Sequence, residues 1–343
     1  MALTPLFRKL DANLELIGMA ALVLALGVPH GALDTVFARS LYGVRGFRDS
    51  IVFAILYFVP VAMVVALWIE VPLIFLWCFL GVSLVHFSGD PKAGTPLVGR
   101  LLYGGSIIVL PSLFHAPEVS RIFSLLVGPA DAAAVTSTLH AAAWPWLVMT
   151  FIAASYRLRA DGLSAAEIAA AALLATIAPP LIAFTIFFCL MHGARHVLRT
   201  LEYFDDVSPR LILVSAAGSM LGTLGMAAAA WFWLGGEALD ARVIQVVFVG
   251  LAALTIPHMG IVERVRMSGW NRPRASSRDR ATDFAKGSGI QVIPPGWQDF
   301  CASQHIDSPV FQAHTNHAEE FVVGDNGGAE GATAPETLRP KNR

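Results

Sequence analysis

Long apolar runs broken by short polar stretches fill the chain as far as about residue 266. A bilayer-crossing helix takes about 20 mostly apolar residues, with a range of roughly 17–25. Windows of that kind lie at 15–37, 51–69, 72–88, 211–234 and 243–262, with weaker ones at 97–114 and 139–156. The stretch from Ser164 to Thr200 is too long for one span, and Pro179-Pro180 divides it. A proline ring clashes with the preceding turn and restricts the residue before it, so it ends or kinks a helix there. The spacing predicts one helix over 164–178 and another over 180–200. The run after Arg8 and Lys9 continues through GVPHGALD without a small-residue cleavage site, so it reads as a first span, not a leader. An all-α, polytopic transmembrane bundle of about eight or nine segments follows. There is no internal repeat.

From about Trp270 the pattern stops. NRPRASSRDR opens a polar stretch, and the end, GDNGGAEGATAPETLRPKNR, has the composition of a disordered tail. The expected division is a transmembrane domain over 1–268, which carries the chemistry, and a polar, disordered tail over 269–343. His305, His314 and His317 fall in that tail and read as solvated.

Composition agrees with a membrane protein. The chain is 55% hydrophobic and 14% charged, with mean hydropathy +0.62, against about 25% charged in soluble proteins. A net charge of −1 argues against a nucleic-acid partner, which calls for a basic patch. Cys78, Cys189 and Cys301 are far apart and form no CxxC, which disfavours a thiolate zinc site or a disulfide framework. Cytoplasmic loops collect Lys and Arg. Among the segment ends and loops, twelve basic residues fall on one face of the nine-segment arrangement and four (Arg8, Lys9, Arg121, Arg242) on the other. The richer face is therefore read as cytoplasmic, in a multi-pass inner (plasma) membrane protein.

That same face holds His30 in GVPHGALD, His86 in VHFSGD and the pair His192 and His196 in MHGARH. Ionisable residues in a span are rare and mark function by default, and neutral imidazole is the commonest protein metal ligand. His192 and His196 are spaced i, i+4, which puts both on one helix face with β-carbons about 5–6 Å apart. One metal can take both; the plain alternative is two interfacial histidines bonded to neighbours. His30 and His86 are each followed four residues later by a carboxylate, Asp34 and Asp90. A metal-bound His usually gives its other N–H to such a group, so both aspartates are expected to support ligands, with direct ligation second. His258 in TIPHMG is a fifth histidine able to line the pocket. His115 and His140 read as solvated, as does Glu202. Pro29, Pro257 and Gly27 bend or narrow their segments, either for close packing or to make room for a ligand.

Four nitrogen ligands suit iron, copper, zinc or nickel by type. No Ser-His arrangement or HExxH supports hydrolysis. No lysine is central in a span (Lys9, Lys92, Lys286, Lys341), which excludes a retinal Schiff base. Two other classes stay open: a histidine-box di-iron desaturase or hydroxylase, and a non-enzymatic haem- or metal-binding membrane protein.

In GVPHGALD, the HFSGD segment, MHGARH and the IPHM segment, over about residues 10–266, the sequence resembles the Brp/Blh family of membrane β-carotene dioxygenases. The resemblance implies cleavage of β-carotene by O2 at its central double bond, giving two all-trans retinal. It implies Fe(2+) held by His30, His86, His192 and His196, and a rhodopsin apoprotein as a possible acceptor of the product. Phe184, Phe187, Phe188 and Trp77 become candidates to line a polyene tunnel.

Overall fold

The computed structural model describes residues 12–267, apart from positions 45, 93, 205 and 206. The expected tail, its three histidines, Cys301, Arg8 and Lys9 lie outside the described residues.

The described residues are helical and contain no strand. The first span is α1 (Ala12–Leu22), a π-helical segment (Val23–Gly27), α2 (Pro29–Ala32) and α3 (Asp34–Tyr42). There follow α4 (Phe47–Glu70), α5 (Pro72–Phe87), α6 (Leu97–Val109), α7 (Pro111–Val127), α8 (Pro129–Leu158) and α9 (Gly162–Ile177). Then come α10 (Pro180–Ile186), a second π-helical segment (Phe187–Gly193), α11 (Ala194–Tyr203), α12 (Pro209–Trp233) and α13 (Leu239–Met267). Proline opens α2, α5, α7, α8, α10 and α12. Its missing N–H is one that a helix start leaves unpaired anyway, and its fixed φ suits the first turn. The chain breaks at Ala178-Pro179, as the sequence predicts.

Among the described residues, five helices are long and apolar enough to cross a membrane: 13–42, 47–70, 180–203, 209–233 and 239–263. A sixth is reached if α6 and α7, bent by 44° at Leu110, count as one span; α5 and α9 are shorter apolar helices. The segment 111–127 was not expected as an element. Its polar residues dilute its hydropathy, yet it buries Val119, Ile122 and Leu126 on one face, the i, i+3, i+7 pattern of an amphipathic helix. His140 is not simply solvated: its Nδ1 donates to the Ser112 carbonyl (2.7 Å), tying α8 to the start of α7. Glu202 is exposed, as expected.

The main core gathers Phe75, Leu76, Tyr103, Leu110, Val135 and Ile168 from α5 to α9, with Phe187 of the second π segment. By contrast, α4 buries only Val61 and α12 only Ser215. Both are apolar around their circumference, as a lipid-facing helix must be.

Glycines set two close approaches near the histidines. A β-carbon on Gly104 of α6 would lie 2.5 Å from the Ser88 backbone nitrogen and 2.9 Å from the Leu84 carbonyl. Backbone at the end of α5 cannot yield as a flexible side chain does. Gly104→Ala is therefore expected to destabilise the protein by about 1–3 kcal/mol, the usual cost of overpacking. Its melting temperature in detergent should fall, with loosening of the His86–Asp90 turn. A β-carbon on Gly27 would meet the side-chain ring of Phe188, the close-packing alternative of its two readings.

Candidate metal centre

His30, His86, His192 and His258 each sit at a break in helical regularity, and His196 follows within α11. Single π turns inside α-helices are frequent at functional sites, and here one precedes His30 while another contains His192. The two π segments lie against each other: a β-carbon on Gly193 would stand 3.2 Å from the Leu26 carbonyl. His86 ends α5, where Ser88, Gly89 and Asp90 turn the chain back. His258 follows Pro257 within α13.

Five buried imidazoles converge: His30, His86, His192, His196 and His258, none more than 7% exposed. Ring centroids separate His30 from His192 by 4.9 Å, from His258 by 5.2 Å and from His196 by 5.5 Å. His86 lies 4.6 Å from His192 and 5.3 Å from His258, and His196 lies 5.1 Å from His258. The ligand atoms of His30, His86 and His258 all fall within 4.8 Å of one another. The Nε2 of His192 stands 3.0 Å from that of His86. His192 and His196, on successive turns, have centroids 6.5 Å apart. His258 is thus as central as the four histidines singled out by sequence.

The two aspartates are crossed relative to the sequence pattern. Asp34 does not serve His30; its Oδ1 accepts from His258 Nδ1 (2.7 Å) and its Oδ2 from the Tyr57 hydroxyl (3.0 Å). Asp90 does not serve His86; both its oxygens lie 3.0 Å from His192 Nδ1. His30 Nδ1 donates to the Gly27 carbonyl. In three of the five rings, then, Nδ1–H is committed to an oxygen acceptor, and Nε2 is left as a lone pair. That is the arrangement metal-bound histidines show, and it fixes tautomer and ring orientation. The Nε2 of His258 is buried with no hydrogen-bond partner among the described residues, a costly state for a polar atom. Three rings so oriented, with His86 and His196 beside them, form an imidazole set that fits a divalent transition metal. Direct ligation by Asp34 or Asp90 would compete with these bonds.

Tyr57, whose hydroxyl donates to Asp34, was not singled out by the sequence. The available signal was one hydroxyl inside a uniformly apolar helix. Missed too was the brace behind Asp90: Arg195 and Arg199 both donate to its carbonyl, at 3.1 and 2.9 Å. Arg195 also pairs with Glu167 at 2.7 Å, and Arg100 Nε donates to the Ser88 carbonyl at 2.8 Å. Further along the same turn, Lys92 lies 2.6 Å from Asp161. That lysine, with the Ser164 N–H and hydroxyl that donate to Asp161 as it caps α9, holds the Asp161 carboxyl well below the usual carboxylate range.

A cavity of about 280 Å³ reaches His30, Asp34 and His258, with Phe188 among its walls. Phe184 lines a separate apolar cavity of about 80 Å³ and stacks on Phe188 at 5.3 Å. Phe187 is fully buried, and Trp77 is 40% exposed and lines neither cavity.

A family model described as beta-carotene 15,15'-dioxygenase matches residues 21–265. A relative named beta-carotene 15,15'-dioxygenase, from an uncultured marine bacterium (66A03), is 27% identical over 71% of this chain and 91% of its own length. A second, from Halobacterium salinarum and named probable beta-carotene 15,15'-dioxygenase Blh, is 25% identical over 71% of this chain and 82% of its own. No solved structure matches the chain.

Proposed function

The chain belongs to the beta-carotene 15,15'-dioxygenase family, and from that premise we propose that it cleaves β-carotene at the central double bond. One O2 is consumed and each product receives one oxygen atom, giving two molecules of retinal. The observation that carries this reading is the convergence of five buried imidazoles, two of which, His30 and His258, line an apolar cavity.

The residues that would hold Fe(II) are drawn from this cluster. His30, His86 and His258 form its tightest group, with His192 beside His86 and His196 completing the ring. Ferrous ion held there would supply open coordination positions for activating O2. The protein's own part is positional. Asp34 and Asp90 keep the His258 and His192 rings turned inward. Phe188, packed on Gly27, stands edge-on to His30 at 5.4 Å and keeps that side of the site apolar. No side-chain acid or base is required, because no proton is gained or lost overall. The site is proposed to lie toward the cytoplasmic face of the inner membrane, as the basic loop residues suggest, and retinal passing to a rhodopsin apoprotein fits that placement.

Expression in a β-carotene-producing bacterium tests the proposal. Loss of orange colour with accumulation of retinal is expected. Persistent colour beside verified expression would overturn it.

A further inference from the structure

The large cavity is a slot whose walls are unusual in two ways. First, three of the residues bounding it are glycines that make no close contact. Gly31 of α2 and Gly218 and Gly222 of α12 line it, and a β-carbon at any of the three would meet nothing within 4 Å. The glycines used for packing differ: a β-carbon on Gly27, Gly104 or Gly105 would collide with a neighbour, and one on Gly193 would crowd backbone oxygens at 3.0 and 3.2 Å. Helix contact therefore explains the second group and not the first. Gly218 and Gly222, one turn apart, share a helix face. On the other side stand Tyr57 and Phe58 of α4. Since α4 and α12 bury almost nothing else, the slot lies between two lipid-facing helices.

Second, the polar groups on the slot are already satisfied. Asp34 accepts from Tyr57 and His258. Thr35 and Ser219 lie 3.3 Å apart, oxygen to oxygen. Ser219, Thr223 and Thr255 each donate to a carbonyl one turn back, at 3.1, 3.1 and 2.7 Å. A ligand with hydroxyls or charges would find few partners; a hydrocarbon needs none. The exception is His258, 3% exposed on the slot, with Nε2 unpartnered.

We propose that the gap between α4 and α12 admits a linear conjugated hydrocarbon from the bilayer and lays it against His30 and His258, with Gly218 and Gly222 setting the width admitted. This rests on the carotenoid-cleaving reading above. It assigns substrate selection to a helix that contributes no histidine.

The test uses the full-length, iron-loaded protein in detergent with Gly218→Phe and Gly222→Phe. The control is Leu221→Phe on the same helix, 71% exposed and off the cavity. Iron per chain is measured, then β-carotene is titrated under nitrogen by its absorption shift, and initial rates are taken in air. Both glycine variants should keep their iron and bind β-carotene about tenfold more weakly or worse, a cost in the range of filling an occupied space. The control should match the parent. Glycine variants that bind and cleave like the control would overturn the slot while leaving the carotenoid reading intact. A parent protein that neither binds nor cleaves β-carotene would overturn that reading itself. Should the phenylalanine variants not insert, Gly218→Val and Gly222→Val carry the same comparison.

Discussion

Purified His86→Ala protein is expected to hold no iron and to form no retinal, while still inserting as a folded bundle. His86 is the ring shared by the two closest groupings: it belongs to the trio with His30 and His258, and its Nε2 lies 3.0 Å from that of His192. Removing it takes away one donor and leaves His192 without its nearest partner. A metal centre contributes several kcal/mol to a reaction barrier, so turnover should fall by about a thousandfold or more. Iron analysis of purified protein, with product chromatography, checks this. Because His86 is buried at the last turn of α5, helicity and melting temperature measured beside the parent separate loss of iron from loss of fold. A variant with parental iron and turnover would remove His86 from the centre.

The second large effect belongs to Asp34, and its direction depends on the crossed wiring. Asp34→Ala is expected to weaken iron binding by about 10–100-fold, the usual cost of losing an outer partner of a metal-bound histidine. The change acts through His258, whose Nδ1–H loses its acceptor. Asp34→Asn keeps a carbonyl oxygen for that bond and should cost less. Tyr57→Phe, which removes only the second contact to Asp34, should cost less again. Competition with a chelator of known affinity ranks the three. An unchanged iron affinity in Asp34→Ala would show that the carboxylate does not orient the centre.

What the chain made legible follows from how local each signal is. Pro179-Pro180 breaks the long apolar stretch where it stands, because a proline acts on its own turn. The four histidine segments were readable because an imidazole in an apolar run is anomalous by itself. The aspartate pairings were not. Spacing places Asp34 one turn beyond His30 and Asp90 one turn beyond His86. The actual partners, His258 and His192, lie 224 and 102 residues away. The reason is visible in the backbone. His30 and Asp34 fall in separate short helices broken at Leu33, and Asp90 lies past the end of α5 in a turn. Neither His–Asp pair shares a continuous helix face, so each carboxylate is free to meet another segment. Helix α7 was missed for a different reason: one half of its surface is polar enough to pass for a loop, and its buried stripe shows only when the neighbouring helices are in place. The glycines of α12 were unreadable in sequence, where a glycine that packs and a glycine that leaves space are the same letter.

X-ray absorption at the iron edge, on purified protein of measured iron content, tests the central claim most directly. The account predicts one iron per chain, in a shell of nitrogen donors with the outer scattering pattern of several imidazoles. An iron-free protein that still cleaves β-carotene would contradict it. So would two irons per chain, or a shell dominated by sulfur or carboxylate oxygen.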